Sequence, residues 1–162
     1  MPLAFLARLG ADGQLDPSFG QSGLAPQPGL GLITDLQVEP SGASAFTATP
    51  AGCALPRDGF LARLGADGHP DRGFGLGGRS RLAEPPGSAP HRRFVLQRLE
   101  ADGSPDPRFG KRGRVTTGFG ARARSKARAI MLAPRGRILL AGSLGASYLV
   151  NETGFALASY RP

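Results

Sequence analysis

The sequence has 162 residues, enough for one domain with a sizeable core. Twenty-five glycines, fifteen prolines and no tryptophan argue against long helices and for many short strands joined by turns. The formal charge of +8 admits a polyanionic partner, while the single cysteine, Cys53, excludes an internal disulfide framework.

The start, Met1-Pro2-Leu3-Ala4-Phe5-Leu6, lacks the basic opening and long apolar stretch of a secretion signal. No apolar run in the chain is long enough to cross a bilayer. The compartment stays open. A repeat begins at once, with Leu6-Ala7-Arg8-Leu9-Gly10-Ala11-Asp12-Gly13 and then Asp16-Pro17-Ser18-Phe19-Gly20. It returns over Leu61–Gly75 and Leu96–Gly110, and a fourth copy opens at Phe155–Tyr160.

Asp-Gly between two strand-like segments signals a tight hairpin whose central residues can take positive φ, so Asp12-Gly13, Asp67-Gly68 and Asp102-Gly103 are read as hairpin turns. Asp16, Asp71 and Asp106 start a second turn, and Phe19, Phe74 and Phe109 supply one apolar anchor per copy. One hairpin with one anchor cannot bury itself, so neighbouring copies must stack.

The second half of unit one reads as a strand over Leu30–Val38, a turn at Glu39-Pro40-Ser41-Gly42 and a strand over Ala43–Thr49. Unit three shows the same half as Ala127–Leu132, Ala133-Pro134-Arg135-Gly136 and Arg137–Gly142. Its run Ile138-Leu139-Leu140-Ala141 reads as a strand covered on both faces. A full unit is then about four short strands, the size of one propeller blade. Unit two is truncated, because Leu6, Leu61, Leu96 and Leu157 stand 55, 35 and 61 residues apart. Proline-rich Arg79–Pro90 is read as an irregular linker where two strands should stand. The units fall at about 3–57, 58–93 and 94–153, with a partial closing strand over 154–162.

Phe94–Gly103, Asp106–Gly110, Gly113–Thr117, Ala129–Gly142 and the closing Phe155–Tyr160 carry a family resemblance. Through them the chain resembles the delta-60 repeat family, tandem β-propeller-like units of bacterial proteins. The resemblance implies an all-β fold, an incomplete propeller-like array of about three short antiparallel units with the middle one truncated. It brings no activity with it. Unit one departs from the pattern by placing Ala43-Ser44-Ala45-Phe46-Thr47 where an apolar strand is usual. A propeller takes four or more blades, leaving an open stack, a ring completed by oligomerisation, or a fragment. Exposed strand edges invite pairing with another chain, so self-association or another protein partner is expected.

The paired aspartates could suggest calcium, but each copy offers two carboxylates and no bidentate glutamate, so turn capping is the preferred reading. Arg8, Arg63 and Arg98 recur at one position and pair with those aspartates on this reading. Charge is uneven: Met1–Asp58 holds two basic against five acidic residues, and Arg92–Arg137 thirteen against three. Arg122, Arg124, Lys126 and Arg128 form the densest run and could neutralise phosphates. No aromatic residue interrupts that run for base stacking, and a solvated loop is the preferred reading. His69 and His91 belong to no catalytic motif, and Gly113–Gly120 lacks the Lys-Ser/Thr of a phosphate loop. Cys53 is read as incidental. The sequence therefore predicts no enzyme, cofactor or metal site. It predicts a non-catalytic repeat module with a structural or protein-interaction role, the alternative being polyanion or nucleic-acid binding through residues 92–137.

Overall fold

A computed structural model describes residues 4–52, 58–83, 93–120, 123–145 and 154–161. The described residues form short antiparallel strands and one 3-10 turn at Pro134–Gly136. The fold is all-β, a set of small antiparallel sheets of propeller-like kind that do not close. The chain divides into two compact units, one of Met1–Pro86 with the turn Ala101–Ser104, the other of Gly87–Glu100 with Pro105–Pro162.

In the first unit β1 (Ala4–Ala7) pairs with β2 (Leu24–Gln27), with Leu6 opposite Ala25. Pro28 and Gly29 then carry the chain out of that sheet: Gly29 takes φ +77, and β3 (Leu30–Val38) begins at once in another. The second sheet runs β3-β4-β5-β6 and adds Ser44–Pro50, Asp58–Leu64 and Arg79–Ala83. Alternate residues of β4 and β5, Phe46, Ala48, Ala62 and Leu64, are buried against Leu6, Phe19, Ala25 and Leu30. That alternation is what a sheet covered on one face produces.

The second unit repeats the plan. β7 (Arg93–Gln97) pairs with β8 (Arg114–Gly118), and the larger sheet has the order β11-β10-β9, from Gly154–Tyr160, Arg137–Gly145 and Arg124–Ala133. Phe94 and Leu96 of the small sheet pack with Phe109 onto Ile138, Leu140 and Ala156. Phe94 meets Phe119 edge to face at 4.8 Å, and the hydroxyls of Thr117 and Tyr160 lie 2.6 Å apart.

Two readings of the sequence are corrected. Arg79–Ala83 is not linker but β6, paired with β5 so that Leu61 lies opposite Ser80; residues 84–92, where the prolines cluster, lie outside the described residues. Among the described residues β10 is covered on one face only: Ile138 and Leu140 are buried, while Leu139 is half-buried and Ala141 exposed. Sheets also do not follow the sequence repeat. β3 and β4 come from the second half of the first copy and β5 and β6 from the second copy, since the change of sheet falls at Pro28-Gly29.

Candidate functional site

The Asp-Gly turns are built alike. Gly13 and Gly68 donate back to Gly10 and Gly65 at 3.0 Å, and only the glycine of each pair has positive φ. Asp12, Asp67 and Asp102 keep ordinary φ because their job is different: each Oδ1 accepts the N–H two residues on, from Gln14, His69 and Ser104 at 2.8–3.0 Å. Asp16, Asp71 and Asp106 do the same for Ser18, Gly73 and Arg108 at 2.8–2.9 Å. Their Oδ2 atoms meet Nε of Arg8, Arg63 and Arg98 at 2.9, 3.5 and 2.7 Å. The guanidinium planes of Arg8 and Arg98 lie over Phe19 and Phe109 at 4.8 and 4.6 Å.

These contacts set the acidity of the carboxyls. The Arg108 amide, and then Arg98, hold the Asp106 carboxyl below its ordinary value of 3.8, and the Ser18 hydroxyl does so for Asp16. With both oxygens of Asp16, Asp71 and Asp106 committed to amides and guanidinium groups, and Oδ1 of Asp12, Asp67 and Asp102 to amides, the aspartates act as caps. Among the described residues no group of three His, Cys, Asp or Glu side chains is placed to hold a metal ion.

A second feature links successive copies within the first unit. Gly20 N–H, just after Phe19, donates to Asp67 O at 2.7 Å, and Gly75 N–H, just after Phe74, donates to Asp102 O at 2.6 Å. Arg8 adds a bond to Ala66 O, and Ser80 Oγ donates to Gly103 O at 2.7 Å. The turn glycine sits so close that a Cβ on Gly68 would fall 2.8 Å from Gly20 N and 2.9 Å from the Phe19 ring. On Gly103 it would fall 2.9 Å from Gly75 N and 3.0 Å from Phe74. The Phe19-Gly20 and Phe74-Gly75 steps thus each receive the Asp-Gly turn of the following copy. Nothing in the sequence marks which carbonyl accepts, so this joint escapes motif reading; only the shared glycines hint at it.

The basic run lies differently from the loop expected of it. Arg124, Lys126 and Arg128 sit in β9, the strand at one edge of its sheet, and Arg122 lies outside the described residues. Lys126 faces Ser143 in the register and Arg128 falls where the ladder slips between Ala127 and Ala129. Lys126 and Arg128 are exposed, Arg124 half-buried. His69 is exposed on its turn, and Cys53 and His91 lie outside the described residues.

Residues 4–19 and 88–109 match a family model described as a β-propeller domain of unknown function (DUF5122). The likeness to DUF5122 covers under a quarter of the chain. Each matched stretch takes in the first strand of a small sheet, the Asp-Gly turn and the phenylalanine of the step. The middle copy lies outside the match yet has the same turn geometry. No curated protein and no solved structure matches the chain.

Uncovered apolar side chains also lie where the sequence drew no attention. Leu36 and Val38 of β3 pair with Phe46 and Ser44, which are buried, so they point to the core side of the sheet. Val38 is nevertheless 67% exposed. Ile130 and Leu132 of β9 stand opposite buried Leu140 and Ile138, and Leu132 is 77% exposed. In the first unit the two-stranded layer meets β3 at Leu30, which is buried with Leu6 and Ala25, and leaves Leu36 and Val38 uncovered; Ile130 and Leu132 of β9 are uncovered in the same way. Among the described residues each of these two strands is also an edge, paired on one side only. No helix among the described residues is long and apolar enough to cross a membrane.

Proposed function

We propose that the chain is a non-catalytic, propeller-like repeat module whose role is to hold other protein chains, its repeat being of the delta-60 kind. One observation carries this reading: β3 and β9 are edge strands that keep apolar side chains uncovered on the core side. Such an edge offers backbone hydrogen bonds together with apolar contact, the combination that accepts an added strand or layer. The six capping aspartates support the same reading, since their carboxylate oxygens serve turns. The test is the native mass of wild type and an Ile130→Lys/Leu132→Lys variant by light scattering. Both side chains are largely exposed, so the variant should keep its melting temperature and lose association. A variant that associates as wild type does contradicts the reading.

The second reading is polyanion binding, favoured by the exposure of Lys126 and Arg128 within a stretch of thirteen basic and three acidic residues. It requires affinity for a labelled single-stranded oligonucleotide to fall steeply with salt and to collapse on Lys126→Ala/Arg128→Ala. Weak binding that the double substitution leaves unchanged removes it.

A further inference from the structure

The repeat supplies three Asp-Gly turns and three Phe-Gly steps, and the two joints use two of each. Among the described residues the turn Asp12-Gly13 and the step Phe109-Gly110 take part in neither joint. Their state agrees with this count. Gly68 and Gly103, seated in joints, are buried, whereas Gly13 is exposed and a Cβ on it would meet nothing within 4 Å. At the step, Gly110 takes φ +55, as Gly20 and Gly75 take +56, and among the described residues no carbonyl accepts from its N–H. Arg98 stands over Phe109 as Arg8 stands over Phe19, where it reaches the carbonyl of Ala66.

We infer that the Asp12-Gly13 turn of one copy of this chain docks on the Phe109-Gly110 step of a second copy, reproducing the joint found twice within the chain. Gly110 N–H donates to the carbonyl of Asp12 in the other copy, and Arg98 donates to that of Ala11. The inference rests on the interaction reading above and names its partner. Charge favours it: the stretch Met1–Asp58 around the turn carries five acidic and two basic residues, and the stretch 92–137 around the step is strongly basic. Because donor and acceptor are different surfaces, the contact is heterologous, and copies add head to tail until a ring closes or a filament grows. The Asp-Gly turn that began as a hairpin signal thereby becomes an address for the neighbouring copy.

Gly13→Asn tests the joint. Asparagine accepts the left-handed backbone, and its side chain has open space in the free turn. In a joint the same Cβ would collide with a backbone amide and a phenylalanine ring, as it would at Gly68. The expected result is a mass that rises with concentration for wild type, and a dissociation constant raised at least about tenfold for Gly13→Asn at an unchanged melting temperature. In wild type alone, the amide shift of Gly110 should move as concentration rises while those of Gly20 and Gly75 stay fixed, a readout that holds even where the variant misfolds. If Gly13→Asn associates like wild type, or the Gly110 amide never moves, the joint between copies is overturned. In that event loss of association in Ile130→Lys/Leu132→Lys leaves the interaction reading standing. A wild-type chain monomeric at every concentration overturns the joint and removes self-association as support for the broader reading.

Discussion

Gly13, Gly68 and Gly103 share one backbone conformation, φ +77, +78 and +81, and differ in what lies against them. The difference separates two costs of adding a methyl group. Gly13→Ala places alanine in a left-handed conformation and should cost about 1–2 kcal/mol from that strain alone. Gly68→Ala adds a collision with Gly20 N and Phe19, which should raise the total by about a further 1–3 kcal/mol. Denaturant unfolding of the two variants checks the order, and equal losses would mean that no turn is seated on the step. At the same scale, a carboxyl held below its ordinary pKa in the fold contributes stability that is whole above that value. The contribution is lost as pH falls through the lower folded value. Asp106→Asn should therefore lower the melting temperature near neutral pH, by an amount that shrinks as pH falls below the ordinary value of 3.8. The capping aspartates were legible in the sequence because an Asx turn is local. The joint was not, since its acceptors are backbone carbonyls that no side chain announces.

Strands were legible where apolar residues are bounded by turn residues on both sides. Leu30–Val38 has the bounds its flanking Pro-Gly and Pro-Ser-Gly predict, and β4 and β10 differ by a few residues at their ends. β6 was hidden because it is short and charged, Arg79-Ser80-Arg81-Leu82-Ala83, and runs into prolines. Its strand character comes from pairing with β5, a long-range cause that local composition does not carry. The coverage of β10 was overread because an apolar run shows that side chains are apolar and leaves open how many layers are present. Phe46 and Phe94 are each fully buried, one in each unit's core. Phe46→Ala and Phe94→Ala should each cost about 3–5 kcal/mol. Residue-resolved exchange should show each loss mainly in the unit that holds the substituted ring, and a loss spread evenly would contradict the separate cores.

For the whole chain, the sequence repeat and the sheets run half a copy out of step. A β3-β4 pair thereby joins a β5-β6 pair from the next copy, and the joint ties the same copies a second time through turn and step. The family resemblance made the all-β, propeller-like class legible from three copies of one motif. How sheets are shared between copies was not, because repeat boundaries in a sequence are arbitrary while sheet boundaries are set by where the backbone changes partner. The two devices together make successive copies interdependent, and the central claim is that a turn glycine seated on a Phe-Gly step is what locks them. Backbone amide exchange at Gly20, Gly75 and Gly110 in dilute solution tests it most directly. Slow exchange at Gly20 and Gly75 with fast exchange at Gly110 is the predicted result; exchange at Gly20 and Gly75 as fast as at Gly110 would show that the turns do not rest on the steps.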